Sequence, residues 1–362
     1  MTAEPRLEVR GLTRRFGPLA AVEEASFAIA GGQVTCLLGP SGCGKSTTLR
    51  MICGVERPDA GEIRIDGRPV SAPGLHLAPE VRSVGLMFQE FALFPHLDVA
   101  ANVGFGLAGA PERARRVQGL LERVGLAGHA ARFPHELSGG EQQRVALVRA
   151  LAPGPRVMLM DEPFSGLDNR LRDGIRDSTL ELLKETGAAV LLITHDPEEA
   201  MRMADRIALM RAGRIVQEGA PFEIYDRPVD QAAAAFFSDV NHIPGEVRGG
   251  RVETAFGAFP AGGLSEGAPA EVLVRPQHLR LELDRGGRGP RPTPELGQAR
   301  PVTVLRARFL GRDSHVELRD DLGATFRATL PGVFLPQPGR ALWLMVPRAR
   351  GLVFARAEPS LH

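Results

Sequence analysis

The stretch from Gln33 to Cys53 constrains this chain more than any other. Gln33-Val34-Thr35-Cys36-Leu37-Leu38 is a mostly apolar run of strand length, of the kind buried on both faces of a parallel sheet. Gly39-Pro40-Ser41-Gly42-Cys43-Gly44-Lys45-Ser46-Thr47 follows at once, in the form G-x-x-x-x-G-K-[ST]. From Ser46 to Cys53 the chain reads as the opening of a helix. Strand, glycine loop and helix in that order predict a phosphate cradle at a strand end of an α/β layer. Gly39, Gly42 and Gly44 let backbone N–H groups converge on phosphate oxygens, and the helix start adds its positive dipole end. Lys45 is then placed for the β- and γ-phosphates, and the Ser46 hydroxyl for Mg²⁺.

Two further apolar runs complete such a site. Val157-Met158-Leu159-Met160 ends in Asp161-Glu162, and carboxylates at the end of a buried strand point into the crevice where open α/β sheets take ligands. Asp161 is expected to hold Mg²⁺ and Glu162 to orient and deprotonate an attacking water. Ala189-Val190-Leu191-Leu192-Ile193-Thr194 is followed by His195, an imidazole able to contact the γ-phosphate. Ser138 suits an N-cap for a helix running from Glu141 to Leu151, and Gly139 and Gly140 permit close phosphate approach there, a second anion site.

Leu137-Ser138-Gly139-Gly140-Glu141-Gln142-Gln143-Arg144 resembles the signature of the ATP-binding cassette (ABC) family. Together with the cradle, it makes the chain resemble ATPase subunits of bacterial ABC importers over nearly its whole length. His195-Asp196-Pro197-Glu198-Glu199-Ala200 is similar to the family's switch-histidine segment. Gln89, after the strand-like Val84–Phe88, is similar to its Q-loop glutamine, which contacts Mg²⁺ and water. Phe16 sits where the family places an aromatic that stacks on adenine, and Ser165-Gly166-Leu167-Asp168 matches the D-loop. Gly166 stands where Ala or Asn is common, and Glu141 where Gln is common. The resemblance implies that Ser138, Gly139, Gly140 and Asp168 serve ATP bound by a second copy, so that a homodimer sandwiches two MgATP.

The resemblance also sets the expected architecture. It implies an α/β P-loop NTPase cassette over residues 1–240, with a helical subdomain about 90–150, followed over 241–362 by a small all-β, OB-like transport-associated (TOBE) domain. The residues agree with it. Strands and helices alternate from Leu7 onward, and Glu112 to Val124 is helical in pattern. After Asn241 short alternating runs dominate, among them Val272–Val274, Leu279–Leu283, Val302–Val304, Val316–Leu318 and Leu342–Val346. Val274-Arg275-Pro276-Gln277 is similar to the V/I-R-P-E element of TOBE domains, with Gln for Glu. Asp284 to Arg300, rich in Gly, Pro and Arg, reads as a mobile loop. The apolar Phe91–His96 reads either as packing under the helical subdomain or as contact near a permease's coupling helices.

Composition narrows the partners. Forty-four basic against 43 acidic residues leave a net charge of +1, which argues against a general nucleic-acid binder, and the tail shows no array of aromatics interleaved with basic residues. The apolar stretches fall short of the ~18 residues needed to span a bilayer, and the start shows no signal pattern. A protein at the cytoplasmic face of the cell membrane is expected, peripheral to separate permease subunits fed by a substrate-binding protein. The motifs around Met87–His96 and the short tail resemble the ferric-iron branch most. Polyamine, sulfate and sugar importers are the alternatives. A soluble ABC ATPase of repair or translation is the rival class; it would carry coiled-coil or zinc insertions, or a second cassette, neither of which is seen. Cys36, Cys43 and Cys53 lack zinc spacing. Cys43, beside Lys45 and a helix start, is expected to have a lowered thiol pKa, so that alkylation blocks hydrolysis.

Overall fold

The computed structural model describes residues 4–107, 109–166, 169–283 and 289–356, with backbone alone at 169–172. They form two compact units, divided after Asp226.

In the first unit, β1 (Pro5–Phe16) and β2 (Leu19–Ala30) make a long antiparallel hairpin whose turn follows Phe16. β3 (Val34–Leu38) is buried throughout and leads through the glycine loop into α1 (Lys45–Cys53). β4 (Ala60–Ile65), β5 (Arg68–Ala72) and β6 (Leu75–His76) return to β1, giving an antiparallel sheet of order β2-β1-β4-β5-β6. The even alternation of strands and helices expected from Leu7 onward therefore does not hold at the start, where five antiparallel strands flank a single helix.

β7 (Val84–Met87) then enters the second sheet. Between it and β8 (Val157–Asp161) lie α2 (Val99–Val103), α3 (Arg113–Arg123) and α4 (Gly139–Leu151), the expected helical subdomain. Asp98 caps α2 by accepting from Ala101 N–H, and α3 buries only Val117 and Leu121, one turn apart. The apolar loop 91–96 is tied down by Asn102, which bonds both the N–H and the carbonyl of Phe94, and by Arg149, which donates to the carbonyls of Phe91 and Ala92.

α5 (Asn169–Thr186), β9 (Ala189–Thr194), α6 (Pro197–Met203), β10 (Arg206–Arg211), β11 (Arg214–Gly219) and α7 (Pro221–Asp226) complete the unit. The second sheet has the order β11-β10-β3-β9-β8-β7, parallel except for the β10–β11 hairpin. Leu37, Leu49, Met51, Leu159, Leu191 and Ile193 share one apolar core with Leu7, Val9 and Ile29 of the first sheet. Because β3, β9 and β8 are adjacent and parallel, the loops that follow them emerge side by side.

The second unit opens with α8 (Gln231–Phe237) and continues as strands. β12 (Asn241–Arg248), β13 (Arg251–Thr254), β14 (Gly257–Pro260) and β15 (Pro269–Val274) precede β16 (Arg280–Leu283) and β17 (Arg300–Phe309). β18 (Asp313–Asp320), β19 (Thr325–Pro331), β20 (Ala341–Met345) and β21 (Leu352–Ala355) follow. Two antiparallel sheets result, β14-β13-β12-β15-β21 and β16-β20-β17-β18-β19, closed over Val247, Phe256, Phe259, Val272, Leu318 and Phe326. Asn241 stitches them together, donating to the carbonyls of Val274 and Arg327 and accepting from Arg327 N–H. Of the stretch expected to be a mobile loop, 284–288 lie outside the described residues. Farther along, Gln298 N–H donates to the Phe256 carbonyl in the β13–β14 turn, and Arg348 N–H, between β20 and β21, donates to the Glu295 carbonyl.

Candidate active site

The loop after β3 is shaped by its glycines. Gly44, at φ 107°, is the left-handed N-cap of α1, and a Cβ there would sit 2.2 Å from the Ala21 carbonyl oxygen. A Cβ on Gly39 would lie 2.1 Å from the Met210 carbonyl oxygen. Among the described residues no side chain caps α1, and no acidic residue occupies its first turn, so its N-terminal N–H groups are left for an anion. Lys45 is 6% exposed and folds over the loop, donating to the carbonyls of Gly39 (2.7 Å) and Pro40 (2.9 Å).

A cavity of about 490 Å³ opens over this loop. Its lining combines Ser41, Gly42 and Gly44–Thr47 with Phe16, Leu19, Ala20 and Ala21 of the β1–β2 hairpin, Ala212 and Gly213 of the β10–β11 turn, and Glu162. The volume suits a ligand of nucleotide size. Phe16 is 46% exposed, which fits a stacking platform and rules out a core side chain. The Arg14 guanidinium backs the ring at 4.7 Å and is itself held by Glu56 and Asp59, both at 2.6 Å.

Two of the three expected metal ligands meet beside the loop: Ser46 Oγ donates to Asp161 Oδ1 at 3.5 Å. Burial, with Glu162 next to it, holds the Asp161 carboxyl above its usual range, an environment that a bound dication would offset. Among the described residues no group of three or more His, Cys, Asp or Glu side chains is arranged around a metal. One hydroxyl and one carboxylate, completed by phosphate oxygens and water, is the donor set Mg²⁺ favours.

Glu162 adopts φ 45°, a strained value for a non-glycine residue, and its N–H donates to the Ile193 carbonyl at 2.9 Å. The turn carries its carboxylate across to β9, where Oε1 lies 2.9 Å from Nδ1 of His195. With Nδ1–H as the donor to this carboxylate oxygen, Nε2 is the second nitrogen of a half-exposed ring.

The other expected site residues stand apart from this cavity. Gln89 is exposed in the turn after β7 and is not among the lining residues. Ser138 is the N-cap of α4 in a capping box: its N–H and hydroxyl both donate to Glu141 Oε2 at 2.7 Å. Gly139 presents open backbone, where a Cβ would meet nothing within 4 Å among the described residues. Asp168 lies outside the described residues. Cys43 corrects the expectation of a reactive thiol. Its sulfur is 3.8 Å from the Lys45 ammonium, yet burial outweighs that charge and pushes the thiol up. Ala20, Ala21, Ala212 and Gly213 were not anticipated; the only trace of the last two is a turn-like Ala-Gly between strand runs.

Comparison with known proteins shows the family. The ABC transporter family matches residues 22–165 and the TOBE domain residues 272–354. The chain is 46% identical to the sulfate/thiosulfate import ATP-binding protein CysA 2 of Chromobacterium violaceum, over 75% of each chain. It is 45% identical to the Fe(3+) ions import ATP-binding protein FbpC of Pseudomonas fluorescens, over 77% of this chain and 80% of that one. It is 39% identical to FbpC of Serratia marcescens, over 86% and 92%. Among solved structures, cbiO1 of Clostridium perfringens, part of the ABC transporter complex cbiONQ, superposes with a TM-score of 0.56 at 30% identity over 61% of this chain and 90% of that one. With a phosphate cradle, a facing carboxylate–histidine pair and a trailing β unit in place, the chain belongs to the ABC transporter family, as an ATP-binding cassette followed by a TOBE domain.

Proposed function

We propose that this chain is the ATP-hydrolysing subunit of an importer for ferric iron. The observation that carries the enzymatic part is the Glu162–His195 contact of 2.9 Å at the edge of the cavity over the phosphate loop. Phe16 stacks on the base. Residues 39–47 wrap the phosphates, Lys45 neutralises them, and Ser46 and Asp161 would hold Mg²⁺, with Gln89 from the exposed turn after β7 as the further ligand. Bound Mg²⁺ supplies charge neutralisation on the phosphate oxygens. Nδ1–H of His195 fixes one carboxylate oxygen of Glu162, leaving the other to take a proton from the attacking water. Nε2 of His195 positions the water and the terminal phosphate.

Ser138, Gly139 and Gly140, with Asp168, serve the site of a second copy. An isologous two-fold dimer closes two such sites at once and opens after hydrolysis. The exposed, open backbone at the start of α4 and its absence from the chain's own cavity lining support this reading. No helix among the described residues is long and apolar enough to cross a membrane, which fits a peripheral subunit at the cytoplasmic face. Separate permease subunits provide the path, and a substrate-binding protein delivers the cargo. The cargo assignment rests on the relatives named for Fe(3+) import; the 46% identity to CysA 2 makes sulfate the second reading.

The test is uptake of labelled ferric iron, sulfate and putrescine by cells of origin carrying Glu162→Gln. Selective loss of iron uptake supports the proposal. Loss of sulfate or putrescine uptake alone keeps the importer and moves the cargo. Unchanged uptake of all three refutes the assignment.

A further inference from the structure

Glu162 and His195 sit on separate loops, and something must hold them at contact distance. We propose that Arg176 is a positioning residue that sets His195 against Glu162, acting through Asp196, Glu199 and Phe164. This rests on the ATPase reading above.

Arg176 lies on α5, is 5% exposed, and touches both loops. Its guanidinium sits 5.8 Å over the ring of Phe164, a fully buried side chain two residues beyond Glu162. Nη2 lies 3.2 Å from Asp196 Oδ2 and 3.4 Å from Glu199 Oε2, and Nη1 lies 3.7 Å from Asp173 Oδ1 on its own helix. The Asp196 and Glu199 carboxylates govern the backbone on either side of His195. Asp196 Oδ1 accepts from the N–H groups of Glu198 and Glu199 and so caps α6. Glu199 Oε2 accepts from Thr194 Oγ1, which in turn accepts from Asp196 N–H. Thr194, Asp196 and Phe164 are therefore all referenced to one guanidinium, and the imidazole is presented from between two anchored residues. Outside this layer, Arg202 of α6 reaches Asp173 (2.6 Å) and Asp177 (2.8 Å) of α5, closing the two helices over the cluster.

As a device for stability the cluster is poor. Among the described residues Arg176 Nε and Glu199 Oε1 are both buried without a hydrogen-bond partner, and burial pushes the Glu199 carboxyl up to about 7 despite the adjacent arginine. Buried ion pairs of this kind are often replaced by apolar side chains without loss of stability. What apolar packing cannot reproduce is a planar fork that holds the Asp196 and Glu199 carboxylates through its N–H groups while its carbon lies over the Phe164 ring. The geometry thus fits orientation of the catalytic pair better than reinforcement of the fold.

The test compares wild type with Arg176→Met, Arg176→Lys and the double variant Arg176→Met/Glu199→Met, reading MgATP Kd, kcat and Tm on the full chain. Positioning predicts an Arg176→Met Kd close to wild type, with kcat down about 10- to 100-fold, the scale of a displacement near 1 Å. Arg176→Lys falls between, because an ammonium cannot bridge the three partners. The double variant removes the unpaired carboxylate and regains Tm while kcat stays low. If kcat returns together with Tm, or if Arg176→Met keeps wild-type kcat, the proposal is overturned and the cluster is structural. Wild type sets the control: no hydrolysis there overturns the ATPase reading itself, a result distinct from active wild type with unaffected variants.

Discussion

Replacing Phe16 by alanine separates nucleotide affinity from folding. The ring is 46% exposed, so little apolar burial is lost, and Arg14 keeps its bonds to Glu56 and Asp59. The arginine–ring contact at 4.7 Å is worth about 0.5–1 kcal/mol at such an exposed position. In a unit of this size that lowers Tm by only about 2–4 °C. A stacked base is worth about 1–3 kcal/mol, which raises the Kd for MgATP by about 5- to 150-fold. The assay is calorimetric titration in a Glu162→Gln background, where the nucleotide survives. Inorganic tripolyphosphate serves as a ligand with the phosphates and no base. Phe16→Ala should weaken MgATP and leave tripolyphosphate unchanged, and Phe16→Trp should restore MgATP binding. Equal losses for both ligands would mean that the β1–β2 hairpin has collapsed, and an unchanged MgATP Kd would refute the stacking role.

Glu162→Gln should lower kcat by about 10²- to 10⁴-fold, the usual contribution of a general base, and accumulate an ATP-bound dimer on size-exclusion chromatography; a variant that stays monomeric with MgATP counts against the shared site. Cys43 should react with iodoacetamide at neutral pH more slowly than free cysteine, because burial raises its pKa, and labelling as fast as free cysteine, read by mass spectrometry, contradicts that. Burial raises the Glu199 carboxyl from 4.5 to about 7, so its contribution to stability is full below pH 4.5 and lost as pH rises through 7. Urea unfolding of wild type should therefore weaken relative to Glu199→Gln across that window, and parallel pH trends for the two chains would show that Glu199 does not titrate there.

Much of the site was legible because its signals are local. The β3 run, the glycine loop and the start of α1 are contiguous, and each residue's backbone preference agrees with its neighbours'. The same holds for Ser138 as the cap of α4 and for the five apolar runs that became β15, β16, β17, β18 and β20. The first antiparallel sheet was not legible. Register shifts interrupt β1 between Val9 and Leu12 and again near Arg14, so its apolar residues lose the strict alternation that marks a strand. Arg176 was not legible either, and Glu199 only as part of the segment after His195, since a charged residue on a helix reads as a solvated face unless the neighbouring helix is known.

The sequence by itself determined which continuous apolar runs are the buried strands of the second sheet, which helix start is open to an anion, and which family the whole resembles. These depend on residues a few positions apart. The tertiary structure alone decided which of those pieces meet. Adjacency of β3, β9 and β8 brings Lys45, His195 and Glu162 to one side of the sheet, and the β1–β2 turn carries Phe16 over the cavity. It also decided the charge states that matter. Cys43, Asp161 and Glu199 all have pKa values raised by burial, against nearby positive charge, because the loss of water depends on what packs around a group and not on its neighbours in the chain.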